Sequence, residues 1–141
     1  MLIPEEEYQR IINILPILCV DAVIINEKGE YLLVKRNNDP LKDEYWVPGG
    51  RVMHMETVEN AMNRILNKEI GGGADELLFF GIYQDVFSNN SFQEEANYHT
   101  LSVVFMVKLK GKDNIKLDSQ SSTYKWSKTL PKRLLKNLIL R

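Results

Sequence analysis

Glu69 is a carboxylate at a position that should be apolar. On a helical wheel of about 100° per residue, Val58, Ala61, Met62, Ile65 and Leu66 share one face of the segment 56–70. With Glu56 set to zero, Glu69 falls at about 220°, between Ile65 at about 180° and Met62 at about 240°. An anion near a helix C-terminus is unfavourable by about 0.3–1 kcal/mol. Burying it unpaired costs several kcal/mol more, or neutralises it. Three arrangements relieve the conflict: the helix ends early and Glu69 reaches solvent, a Lys or Arg pairs with it, or it binds a divalent cation. Oxygen donors would favour Mg²⁺ or Mn²⁺ in the last case. Just upstream, Gly49-Gly50 lies between an apolar strand and this helix, where glycine lets backbone approach a ligand and frees a carbonyl for coordination. Gly-Gly alone is a turn; joined to Glu56, Arg64 and Glu69 at fixed spacing, it becomes a site.

The rest of the chain must place that site. Its 141 residues suit one domain, and 44% apolar with 26% charged side chains is ordinary for a globular protein. Eighteen basic and 19 acidic side chains leave a formal net charge of −1, so no basic excess draws the chain to nucleic acid or an anionic membrane. Cys19 is the single cysteine, which excludes an internal disulfide and a cysteine zinc cluster. The apolar runs 14–20 and 77–82 are far below the ~20 residues a membrane span requires. Pro4-Glu5-Glu6-Glu7 carries the wrong charge for a secretory signal. A cytoplasmic protein is expected.

Pro4 and the glutamates after it begin a helix running to about Asn13. Residues 17–26 read as a buried strand with one anomaly, Asp21, and 31–36 as the returning strand of a hairpin. The helix of about 56–70 stops at Gly71-Gly72-Gly73. Strands follow at about 77–87, 99–109 and 122–127, and a basic amphipathic helix is predicted over about 130–140. The mixture predicts an α/β sandwich. From Lys125 to Arg141 there are six basic and no acidic side chains, read first as a solvated face with favourable charge near a helix C-terminus and second as an anion-binding surface.

From Gly50 the sequence runs GRVMHMETVENAMNRILNKEIG. It resembles the Nudix box: G, five residues, E, seven residues, then R-E-U-x-E-E-x-G-U, with U bulky and aliphatic. Gly50, Glu56, Arg64, Leu66, Glu69 and Gly71 match; Ile65 and Lys68 stand in place of two glutamates, and Gly72 in place of the last aliphatic. The resemblance implies one Nudix domain over 1–141, with the box at 50–72 and an N-terminal helical segment at 1–15. It implies an α/β/α sandwich with a mixed β-sheet and a central Nudix helix. In ordinary members the missing glutamates hold metals that polarise a diphosphate. Here several Mg²⁺ ions would find too little negative charge, while one fits.

The GDP-mannose mannosyl hydrolase branch shares this reduction, and the chain is similar to it through Asp21, LLVKR ending at Arg36, YWVPGGRV (45–52) and Asp118-Ser119-Gln120. By that resemblance the Gly49 carbonyl, Glu69 and Gln120 would hold one Mg²⁺. Arg36 and Arg51 would hold the diphosphate, Asp21 would sit near the anomeric carbon, and Glu56 with Arg64 would be architectural. The branch releases a nucleoside diphosphate and an inverted sugar by water attack at carbon, through an oxocarbenium-like transition state. A homodimer through the N-terminal segment is also implied, although the same apolar face could pack on its own domain.

The branch's general base, a histidine after the glutamine, is replaced by Ser121, whose hydroxyl is a poor base at neutral pH. Asp85 and Thr100 replace a histidine and a tyrosine of the branch. His54 and His99 are the other candidates of suitable basicity, and Glu94 and Glu95 resemble the loop glutamates that other Nudix enzymes use as bases. Asp85, or a carboxylate from 88–97, is expected to take over part of the base's role, or to bind a sugar hydroxyl. Two alternatives stand beside the sugar-releasing hydrolase: a pyrophosphohydrolase attacking phosphorus, and a protein that binds a nucleotide sugar without turning it over.

Overall fold

β1 (Ile17–Ile24) is the strand around which the others assemble. In the computed structural model, which describes residues 2–37, 42–88, 97–110, 115 and 121–140, it pairs with β4 (Gly49–Arg51) antiparallel and with β6 (Asn97–Leu109) parallel. The sheet continues antiparallel through β5 (Ala74–Ser88) to β8 (Leu138–Leu140), in the order β4-β1-β6-β5-β8. A second sheet, ordered β3-β2-β7, comprises β2 (Tyr31–Arg36), β3 (Tyr45–Trp46) and β7 (Ser121–Ser127). β1, β2, β6 and β7 fall within about two residues of where alternation and turn residues predict them, β5 begins three residues earlier than expected, and the mixed sheet is as expected.

Side chains of a strand alternate between faces, and β1 uses both. Val20, Ala22 and Ile24 pack on Ala61, Met62, Ile65, Leu66 and Ile70 of α2 (Val58–Ile70). Val23, from the other parity, packs with Leu33, Trp46, Tyr83, Val104 and with Leu134 of α3 (Lys132–Lys136). Helices therefore cover both faces, which is the α/β/α sandwich.

The central helix begins two residues later than expected. Thr57 caps it, its side chain accepting the Asn60 N–H at 3.1 Å. Glu56 is thereby left in the preceding turn. Gly71, at φ 75°, ends the helix in the left-handed conformation that glycine adopts without strain. The C-terminal segment differs more. Instead of one helix over about 130–140, five residues form α3 and the next three form β8 on the edge of β5. At Gly81 an added Cβ would lie 2.4 Å from the Ile139 carbonyl oxygen, so the missing side chain admits the extra strand. Pairing the exposed edge of β5 outweighs continuing an amphipathic helix.

α1 (Glu5–Ile12) packs on its own domain: Ile12 meets Ile17 and Tyr98, with Tyr8 and Ile11 alongside. Leu2, Ile14 and Leu15 stay exposed. Among the described residues no helix is long and apolar enough to cross a membrane.

Candidate functional site

Glu56 and Arg64 bind the box together. The Arg64 guanidinium donates to both Glu56 oxygens, at 2.7 and 2.9 Å, and to the Arg51 carbonyl at 2.9 Å. Glu56 also accepts the Met53 N–H at 3.0 Å. The hydrogen bonds from Arg64 and Met53 hold the Glu56 carboxyl down at about 2. The pair fastens the turn after Gly50 to the middle of α2.

Register then sets the next contacts. Asp21 lies opposite Gly49 across β1 and β4, and Cys19 opposite Arg51. At Gly49 an added Cβ would lie 2.1 Å from Asp21 Oδ1, so only glycine permits this carboxylate to rest against the strand. The Gly49 N–H donates to Glu69 Oε2 at 3.3 Å. α2 continues past Glu69 to Ile70, which removes the early helix end from the three arrangements open to that residue.

Asp21 is buried, and Ser102 Oγ donates to its Oδ2 at 2.5 Å. Burial pushes its carboxyl up to about 6; the Ser102 hydrogen bond and the positive charge of Arg36 restrain the rise. The lone serine in the apolar strand around 102 was the only sign of this partner. Cys19 is half-buried, and burial followed by the nearby Asp21 raises its thiol to about 12, an inert group at neutral pH.

These residues share a cleft of about 560 Å³, within the usual range for small-molecule sites. Asp21, Arg36, Gly49, Arg51 and Glu69 all line it. α1 contributes a wall through Tyr8, whose ring centroid lies 5.5 Å from the Arg51 guanidinium carbon. Gln120 lies outside the described residues, as do Glu94 and Glu95. The backbone of residue 121 pairs with Arg36 at the edge of β2.

Asp85 is buried on the same side of β5 as Tyr83 and carries two partners. Arg133 of α3 donates through Nη2 to Oδ1 at 2.6 Å and through Nε to Oδ2, and the Tyr83 hydroxyl also donates to Oδ2. Tyr83 lines the cleft and stacks at a tilt on Trp46, with ring centroids 5.7 Å apart. Asp85 therefore meets the cleft through Tyr83. The basic tail after Lys125, read as a solvated face, supplies this buried carboxylate with its cation. Nothing in the spacing joins residues 48 positions apart. His99 is exposed between Tyr98 and Thr100, both of which face the cleft, so alternation turns it to the opposite face; His54 is exposed in the turn.

The Glu69 carboxylate, whose Oε2 accepts the Gly49 N–H, is a hard oxygen ligand of the kind that suits a divalent cation. Among the described residues no three His, Cys, Asp or Glu side chains converge as a metal cluster, so such an ion would draw on backbone as well as side chains.

A family model for the NUDIX domain matches residues 15–129. The low-salt glycan biosynthesis protein Agl8 of Haloferax volcanii is 32% identical over 123 residues, 87% of this chain and 78% of that protein. The ADP-ribose pyrophosphatase of Methanocaldococcus jannaschii is 33% identical over 96 residues, 68% of this chain and 53% of its own length. In three dimensions the chain is similar to a MutT NUDIX hydrolase from Burkholderia pseudomallei, with a TM-score of 0.72 at 20% identity over 87% of this chain and 95% of the other.

Proposed function

The chain belongs to the NUDIX hydrolase family, and on that premise we propose that it hydrolyses a nucleoside-diphosphate sugar of the GDP-mannose type at the sugar carbon. The observation that carries this reading is the placement of Asp21 in one cleft with Arg36, Arg51 and Glu69. Water attacks the anomeric carbon and releases a proton to solvent, the carbon–oxygen bond to the diphosphate breaks, and the electron pair leaves with the nucleoside diphosphate. Asp21, ionised at neutral pH, stabilises the positive charge that develops on the sugar ring. Arg36 and Arg51 take the negative charge of the departing diphosphate. Glu69, the Gly49 carbonyl and Gln120 would hold one Mg²⁺, or Mn²⁺, which supplies Lewis-acid neutralisation of the leaving group.

For Asp85 the reading is a supporting one: with both oxygens engaged, it orients Tyr83 and the Trp46 wall. Ser121 leaves the base for the attacking water unassigned to any side chain described at the cleft. A relative named for glycan biosynthesis supports a sugar-bearing substrate. Any pairing of two copies through the N-terminal segment would draw on Leu2, Ile14 and Leu15, the apolar residues left exposed there.

A second reading is favoured by the ADP-ribose pyrophosphatase relative: attack at phosphorus, giving a nucleoside monophosphate and a sugar phosphate. Nucleoside-diphosphate sugars incubated with Mg²⁺ in ¹⁸O-water separate the two. Label in the free sugar, followed by mass spectrometry and NMR, is the expected outcome. Label in phosphate establishes the second reading, and tight binding without turnover over hours would leave a binding protein.

A further inference from the structure

Lys68 occupies a position where the box pattern has a glutamate, on the last turn of α2. It lines the same cleft as Ile65, three residues before it and so adjacent on the helical surface, and Glu69, the next residue along the chain. Its neighbours around the cleft are engaged: Arg64 with Glu56, Asp21 with Ser102, Glu69 with the Gly49 N–H. Among the described residues no acid or carbonyl takes the Lys68 ammonium, which stays exposed on a flexible stem at the mouth of the cleft.

We propose that Lys68 is a diphosphate-binding residue, its ammonium contacting a substrate phosphate beside the Glu69 carboxylate. A glutamate at this position would add an anion that needs a further cation before a diphosphate could approach. Lysine supplies the positive charge covalently attached to the chain, so the charge balance at the phosphates closes with fewer metal ions. Ile65, also in place of an acid, removes the other carboxylate that such ions would need. The inference rests on reading the cleft as a diphosphate site, and it holds for cleavage at carbon or at phosphorus alike.

The competing role for Lys68 is to offset the negative end of the helix, which its place in the last turn would satisfy. That role changes stability and leaves anion affinity alone. Inorganic pyrophosphate is therefore titrated calorimetrically into the native chain, Lys68→Gln and Lys68→Arg, in chelator so that no metal contributes, with melting temperature recorded on the same samples. Lys68→Gln is expected to weaken pyrophosphate binding about tenfold, the lower range for one charge-assisted hydrogen bond, and Lys68→Arg to keep most of it. Equal affinity in the native chain and Lys68→Gln overturns the proposal, as does an absence of measurable pyrophosphate binding by the native chain. The isotope result is independent: label in phosphate ends the sugar-carbon reading and leaves this contact standing, whereas equal affinities end the contact and leave the isotope result standing.

Discussion

Gly49 carries two constraints that meet in one atom group. Its N–H donates to Glu69 while its Cα faces the Asp21 carboxylate with no room for a methyl group. Gly49→Ala must displace Asp21, the strand, or both. The expected result is loss of Mg²⁺-dependent turnover by about 100-fold or more, as expected when a reacting group moves by an ångström, with a folded chain by circular dichroism. Glu56 is a stability residue with a defined pH window. A carboxylate held down in the folded state contributes stability that is in place above its ordinary value of 4.5 and is lost as pH falls toward about 2. Thermal melts of the native chain should therefore lose stability across that window, and Glu56→Gln, less stable at neutral pH, should show a flatter acid limb.

Between elements, the ion pair from α3 to β5 is the contact with the most at stake. Asp85 is nearly sealed while the Arg133 side chain is 42% exposed, so the pair lies between surface and interior. Arg133→Met would leave a buried carboxylate with only the Tyr83 hydroxyl, at a cost of about 2 kcal/mol, below the 3–5 kcal/mol of a fully buried pair. Urea unfolding measures that cost, and a double-mutant cycle with Asp85→Asn should show coupling between the two positions. Because Tyr83 rests on Trp46 in the cleft, the same substitution should raise KM more than it lowers kcat. This contact was illegible in the sequence because it joins residues far apart along the chain. The amphipathic run after Leu130 also misled, since Gly81 opens an edge that only the folded β5 presents. By contrast α2 was legible: its apolar spacing, Thr57 and Gly71 are local signals, and the helix they specify is the one observed.

Across the molecule, the site was readable to the extent that it depends on β1, β4 and α2, three elements whose order and spacing are encoded within residues 17–70. Asp21 stood out as an acid in an apolar strand, Glu69 as an acid on an apolar face, and the fold brings both to one cleft with Arg36 and Arg51. Ser102 and Tyr83 entered unannounced because β6 and β5 reach the cleft only through strand pairing. The parity of β1 has one last consequence. Ile17, Cys19 and Asp21 line the cleft while Val20, Ala22 and Ile24 face α2, so cleft and core are read from one strand in alternate phase. Deleting a single residue ahead of Asp21 would force a choice between keeping the ladder to β6 and keeping the acid out of the oil. Insertions and deletions, harmless in the loops, should be the most damaging lesions this strand can suffer.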